Sequence, residues 1–244
     1  WRVYKPLVIF IAVIVIIPVL TAMTGTHFYL TQMTMTAYYL MVTLGLCLLM
    51  GYTGQVSMGQ AGFFAIGGYT SAFLTTLNLS AFSSQPFVEF LSSIGLLIGG
   101  KNLYGKEILY LNPWLGLIAA VALSAFIAYF IGIPVLKLKG HYLVMATMSF
   151  GVVIEVLFKG SRLFGGADGI SNVPAFPLLP GLRVSGAIPD RVKNYFIAWM
   201  IVVLGLIVLI NLIHSKVGRA LRSLHDNEEA SNAMGIDTAR YKLN

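Results

Sequence analysis

The sequence predicts an all-α fold: a polytopic transmembrane helix bundle. Three observations carry that expectation. Hydrophobic residues make up 57% of the 244-residue chain and charged residues only 10%, against roughly 25% charged in a soluble domain. The mean hydropathy is +0.82. The apolar residues are gathered into runs close to the ~20 residues that a helix needs to cross a bilayer, with most of the charges between them.

Each run is expected to be helical, because hydrocarbon offers the backbone no hydrogen-bond partner. Leu7 to Met23 is the first span, with Pro18 expected to kink its far end. Tyr29 to Met50 is the second and Ala61 to Leu77 the third. Pro113 to Leu136 is the fourth, opened by Asn112 as a cap and Pro113 at the first helical position. His141 to Phe158 and Tyr195 to Ile213 complete a bundle of about six spans over residues 1–213. Phe87 to Ile98 is apolar but too short to cross, and reads as a re-entrant, interfacial or extracytoplasmic segment.

The net charge is +7. No basic stripe interleaves with aromatics, so no nucleic-acid partner is expected. Positive charge at span ends is the simpler account, though its bias between the two sides is small. With the N-terminus in the cytoplasm, six spans return residues 214–244 to that side, and Lys137 and Lys139 fall in a very short inner loop. The Gly- and Pro-rich loop near 159–193 then faces outside, as a mobile connection or as a contact surface for an external protein. Cys47 is the single cysteine, which excludes an internal disulfide. The histidines have no ligand spacing, and no metal site is expected.

Residues 51–68 combine Gly51, Gly54, Gly59, Gly62, Gly67 and Gly68 with Gln55, Ser57 and Gln60. Small residues allow tight helix packing, which accounts for many of the glycines. Polar side chains at membrane depth face a cavity or another helix, and a glycine-loosened backbone is tolerated there only inside protein or beside water. A broken helix lining a solute path needs this combination.

The charge-dense stretch is 214–236. Val217, Ala220, Leu221 and Leu224 fall on one helical face, with Lys216, Arg219 and Arg222 opposite. Asp226 can cap a second helix, with Glu229 at capping-box spacing and Gly235 as its stop. That helix, Asn227 to Met234, would be on the order of 12 Å long and marginal by itself in water. It reads either as a solvated surface helix or as a handle for a soluble partner.

Four stretches, in order, resemble the branched-chain amino-acid ABC transporter permease family. Gly51, Gly54, Gln55, Ser57 and Gly59 match its G-x-x-G-Q-x-S-x-G motif, with Gln60 where His is common. Lys139-Gly140-His141-Tyr142 through Thr147 and Phe150 resembles a run of the LivM-type subunit. Gly165-Gly166-Ala167-Asp168-Gly169-Ile170 resembles T-G-G-x-x-G-I, with Phe164 in place of Thr. Glu229-Ala230-Ser231 with Gly235 resembles the EAA---G loop that docks on an ATPase subunit, preceded by Gly218-Arg219-Ala220-Leu221-Arg222 and Asn227-Glu228.

The resemblance implies a permease subunit, not an enzyme, in a bacterial inner membrane, moving branched-chain or related small amino acids. It implies a substrate path at Gly54, Gln55, Ser57, Gln60 and Thr147. It implies ATPase coupling through Gly218, Arg219, Arg222, Asn227, Glu228, Glu229, Ala230 and Gly235 in a cytoplasmic coupling loop, 214–244. The implied partners are two ABC ATPase subunits, a second, LivH-type permease subunit, an external solute-binding protein and the lipid bilayer. Such permeases continue with further spans, so a partial chain is expected. No cofactor is expected in the chain: the run at Gly165 lacks the G-K-[S/T] ending of a phosphate loop. ATP and magnesium then belong to the partner ATPases. Urea or short amides are the alternative cargo within the family. An ion-coupled transporter or channel would need an ionisable group in the bundle, and Glu155, the candidate, is spaced to pair with Lys159.

Overall fold

A computed structural model describes residues 5–80, 95–101, 107–135, 138, 140–179 and 181–226. The helices are α1 (Lys5–Met23), α2 (Phe28–Thr53), α3 (Gln60–Thr76), α4 (Pro113–Val135), α5 (His141–Gly160), α6 (Arg191–His214) and α7 (Lys216–Asp226). Two antiparallel or paired two-stranded ribbons join them: β1 (Leu97–Lys101) with β2 (Glu107–Leu111), and β3 (Phe176–Leu179) with β4 (Leu182–Val184). Five of the described helices are long and apolar enough to cross a membrane, those of α1, α2, α4, α5 and α6. The expected third span is helical as α3, but its 17 residues reach only about 26 Å at 1.5 Å per residue. The expected apolar segment ending at Ile98 finishes in β1, whose Leu97 pairs with Leu111. The ribbons are additions that the helical periodicity did not announce.

The chain divides into two compact units, residues 1–57 with 178–244, and residues 58–177. The core of the first is Ile14 of α1, Leu30 and Ala37 of α2, and Tyr195, Ala198, Trp199 and Val202 of α6. The α6 residues recur at three- and four-residue steps and so form one stripe. Ala37 and Ala198 keep that seam narrow, as small residues do between membrane helices. Large apolar side chains such as Ile9, Val19, Met200 and Val208 point outward instead. An outer surface of this kind suits lipid.

Pro18 lies inside α1. It has no N–H, so the carbonyl of Ile14, four residues earlier, loses its helical partner. Tyr195 supplies one: its buried hydroxyl donates to the Ile14 oxygen at 3.0 Å. Tyr195→Phe is therefore expected to destabilise the protein by about 1 kcal/mol, read as thermal unfolding in detergent. Replacing Pro18 by Ala supplies the missing helical N–H and should remove most of that loss. Equal losses in both backgrounds would show that the hydroxyl does something else.

In the second unit, Asn112 caps α4 as expected, its Oδ1 accepting from Trp114 N–H at 3.1 Å. Helices α3 and α4 meet where Gly116 faces Thr75, leaving room for a Cβ only 3.0 Å from Thr75 Cγ2. The loop near 159–193 is folded over much of its length. It carries 3-10 turns at Arg162–Phe164, Gly166–Asp168 and Ile188–Asp190. Asp190, 4% exposed, accepts from Ser185 Oγ at 2.5 Å and Lys193 Nζ at 3.4 Å, with Arg183 Nε 3.9 Å away. Those bonds hold the start of α6.

Candidate functional site

The helical path breaks where the glycine-rich motif stands. Gly54 ends α2 in the left-handed conformation, φ 67°, and residues 54–59 are non-helical before α3 begins at Gln60. Gln55, Ser57 and Gln60 are partly exposed. Gly54, Gln55 and Ser57 belong to the first unit, and Gln60 and Thr147 to the second.

Helix α5 runs alongside α3 in the same direction, with successive contacts at a constant register. Met58 N–H donates to Thr147 Oγ1 at 3.1 Å. A Cβ on Gly62 would stand 2.9 Å from Phe150 Cε1 and 3.4 Å from Gly151 Cα. Tyr69 stacks on Phe158, ring centroids 4.3 Å apart at 9°. The absent side chain at Gly62 is what lets these helices touch. Thr147 has a more structural setting than its place in the motif suggested: its hydroxyl accepts from Met58 and lies 3.0 Å from the Leu143 carbonyl oxygen as donor.

Between these two helices lies a cleft of about 390 Å³. Met58, Ala61, Gly62, Ala65, Met148, Gly151 and Val152 line most of it, and Tyr69, Phe158, Glu155 and Lys159 line the rest. Glu155 and Lys159 pair at 2.5 Å, as their spacing predicts. Phe164 closes an aromatic cluster there, 4.8 Å from the Phe158 ring centre and 5.4 Å from that of Phe73. The turn that presents Phe164 needs glycine at 165, where φ is +80° and a Cβ would overlap the backbone of Gly169. Tyr69 and Phe158 were missed as lining residues, because aromatics at helical spacing read as ordinary core.

In the first unit, α7 leaves α6 through a capped joint. Ser215 Oγ accepts from Val217 N–H at 3.1 Å and Gly218 N–H at 3.3 Å. Of the expected apolar face, Leu221 is buried, 7% exposed, but Val217 is 41% exposed. Gly218 takes the inner position because it packs against the Ile213 and Leu212 carbonyls, where no side chain fits. Arg219 is exposed. Arg222 sits over the Tyr52 ring, 5.2 Å from its centre, a cation–π contact. Asp226 is the last residue of α7. Asn227, Glu228, Glu229, Ala230 and Gly235 lie outside the described residues. Among the described residues no group of His, Cys, Asp or Glu could hold a metal ion.

Together these helices define a multi-pass α-helical membrane protein with an interrupted helical path and an amphipathic helix at the end of a span. The sequence pattern of the branched-chain amino acid transport system / permease component family matches residues 28–244. The chain belongs to that family. The high-affinity branched-chain amino acid transport system permease proteins LivM of Salmonella typhimurium and Escherichia coli K12 are each 30% identical over 230 residues, covering 86% of this chain and 47% of the relative. The probable branched-chain amino acid transport permease protein LivM of Methanocaldococcus jannaschii is 23% identical over 219 residues, covering 84% of this chain and 59% of the relative. The chain thus spans about half the length of the first two relatives. No solved structure is significantly similar to it.

Proposed function

We propose that the chain is the LivM-like membrane subunit of an ATP-driven importer, moving branched-chain or related small amino acids into the cytoplasm by alternating access. The observation that carries this reading is α7, a polar-faced helix joined to span α6 without room for a side chain at Gly218 and seated against α2 through Arg222. A helix held in this way passes a push from below into the spans. Gly218, Arg219 and Arg222 form its base. The coupling role proposed for Asn227, Glu228, Glu229, Ala230 and Gly235 is contact with an ABC ATPase subunit. Gly54, Gln55, Ser57 and Gln60 contribute to the solute path, where a helix break offers free backbone groups to a zwitterion. Thr147 supports that path by fixing Met58.

On this reading the complex has two ABC ATPase subunits that bind ATP and magnesium, a second, LivH-type permease subunit and an external solute-binding protein. It sits in a bacterial inner membrane with the N-terminus of this chain in the cytoplasm. The division into a bundle at 1–213 and a cytoplasmic coupling loop at 214–244 follows. The test is the full complex reconstituted in liposomes. Glu229→Ala or Gly235→Val should weaken ATPase association or solute-stimulated ATP hydrolysis while membrane insertion persists. Unchanged stimulation would count against the reading, and uptake of urea with none of leucine would replace its cargo.

A further inference from the structure

We infer that Glu155 and Lys159 are the charged end of a recognition site in the α3–α5 cleft, built for a zwitterionic amino acid with an aliphatic side chain. The inference rests on the amino-acid permease reading and adds where and how the cargo is recognised. Glu155 and Lys159 are the charged members of the cleft lining, whose other walls are apolar apart from the Tyr69 hydroxyl. They stand one helical turn apart, so their groups present a negative and a positive site side by side.

The two side chains are 59% and 62% exposed. An ion pair that exposed is weakly held where water reaches it, so in a hydrated path opening it to admit a ligand meets little resistance. Glu155 can then receive an α-ammonium and Lys159 an α-carboxylate, each charge exchanging one partner for another. The rest of the molecule would lie against the cleft. Ala61, Ala65 and Gly151 leave space there, and about 390 Å³ is within the range of small-ligand cavities. An amino acid with a charged side chain would bring an unpaired charge against Val152 and Met148. A neutral amide would gain hydrogen bonds from the pair but no charge pairing.

The test compares three probes on the reconstituted complex: leucine, leucinol, which lacks the carboxylate, and 4-methylpentanoate, which lacks the ammonium. Competition against radiolabelled leucine uptake is read for each. Lys159→Met should reduce the preference for leucine over leucinol by about tenfold, and Glu155→Gln the preference for leucine over 4-methylpentanoate by a similar factor. Lys159→Arg and Glu155→Asp, which keep the charges, should retain both preferences. A purely structural ion pair would lower uptake without altering either ratio, and unaltered ratios would overturn the inference. Wild-type complex that takes up no amino acid would instead remove the functional reading beneath it.

Discussion

Gly218→Ala is expected, on the importer reading proposed above, to uncouple uptake from ATP while leaving the chain in the membrane. The added Cβ would run into the carbonyl oxygens of Ile213 and Leu212. These are backbone atoms at the end of a span, so they cannot turn aside as a side chain would. The joint must open, and α7 with it, drawing Leu221 from its buried position and Arg222 from the Tyr52 ring. Steric and backbone changes of this kind commonly cost on the order of 2–3 kcal/mol, more than tenfold in a population. ATP-driven uptake should fall by at least that factor while the protein still resists alkaline extraction from membranes. Ser215→Ala removes the cap of α7, worth about 1 kcal/mol, and the hydroxyl's bond to the Leu212 carbonyl, and should give a milder loss. Full uptake with alanine at 218 would mean that the α6–α7 joint transmits nothing.

Gly165→Ala is expected to have the second large effect, on stability. The left-handed backbone alone costs an L-residue roughly 1–2 kcal/mol. Here the new methyl would also overlap the backbone of Gly169, so the turn cannot keep its shape. Phe164 would then leave the cluster it forms with Phe158 and Phe73. The unfolding midpoint of the detergent-solubilised complex should fall by several degrees, on the order of 2–4 °C per kcal/mol for a chain of this size. An unchanged midpoint would show that the turn is redundant.

The two substitutions also separate what could be read in the sequence from what could not. Local rules worked where neighbours in sequence settle the matter. Asn112 and Pro113 announced the start of α4, and the four-residue step announced the Glu155–Lys159 pair. The glycine-dense motif announced a helix break, found at residues 54–59. The reading weakened where the answer depends on a distant surface. Val217 shares the apolar face of α7 with Leu221, yet it is exposed, and the packed position belongs to Gly218, chosen for what it lacks. Thr147 stands in a motif tied to the solute path, and its hydroxyl also receives the Met58 N–H from the non-helical segment before α3. The cleft itself was invisible. Ala61, Ala65 and Gly151 become a wall only once α3 and α5 lie side by side.

The hydrogen bond between Tyr195 and Ile14 joins residues 181 positions apart, and this has a bearing on biosynthesis. When α1 first enters the bilayer from the ribosome, the acceptor freed by Pro18 has no companion within its own helix. The hydroxyl that will satisfy it has yet to be translated. Hydrocarbon tolerates such a vacancy poorly, so α1 would do better to wait at the wet flank of the insertion machinery, or beside a chaperoning polar group, until α6 arrives. A segment made well before its partner is thereby slow to settle.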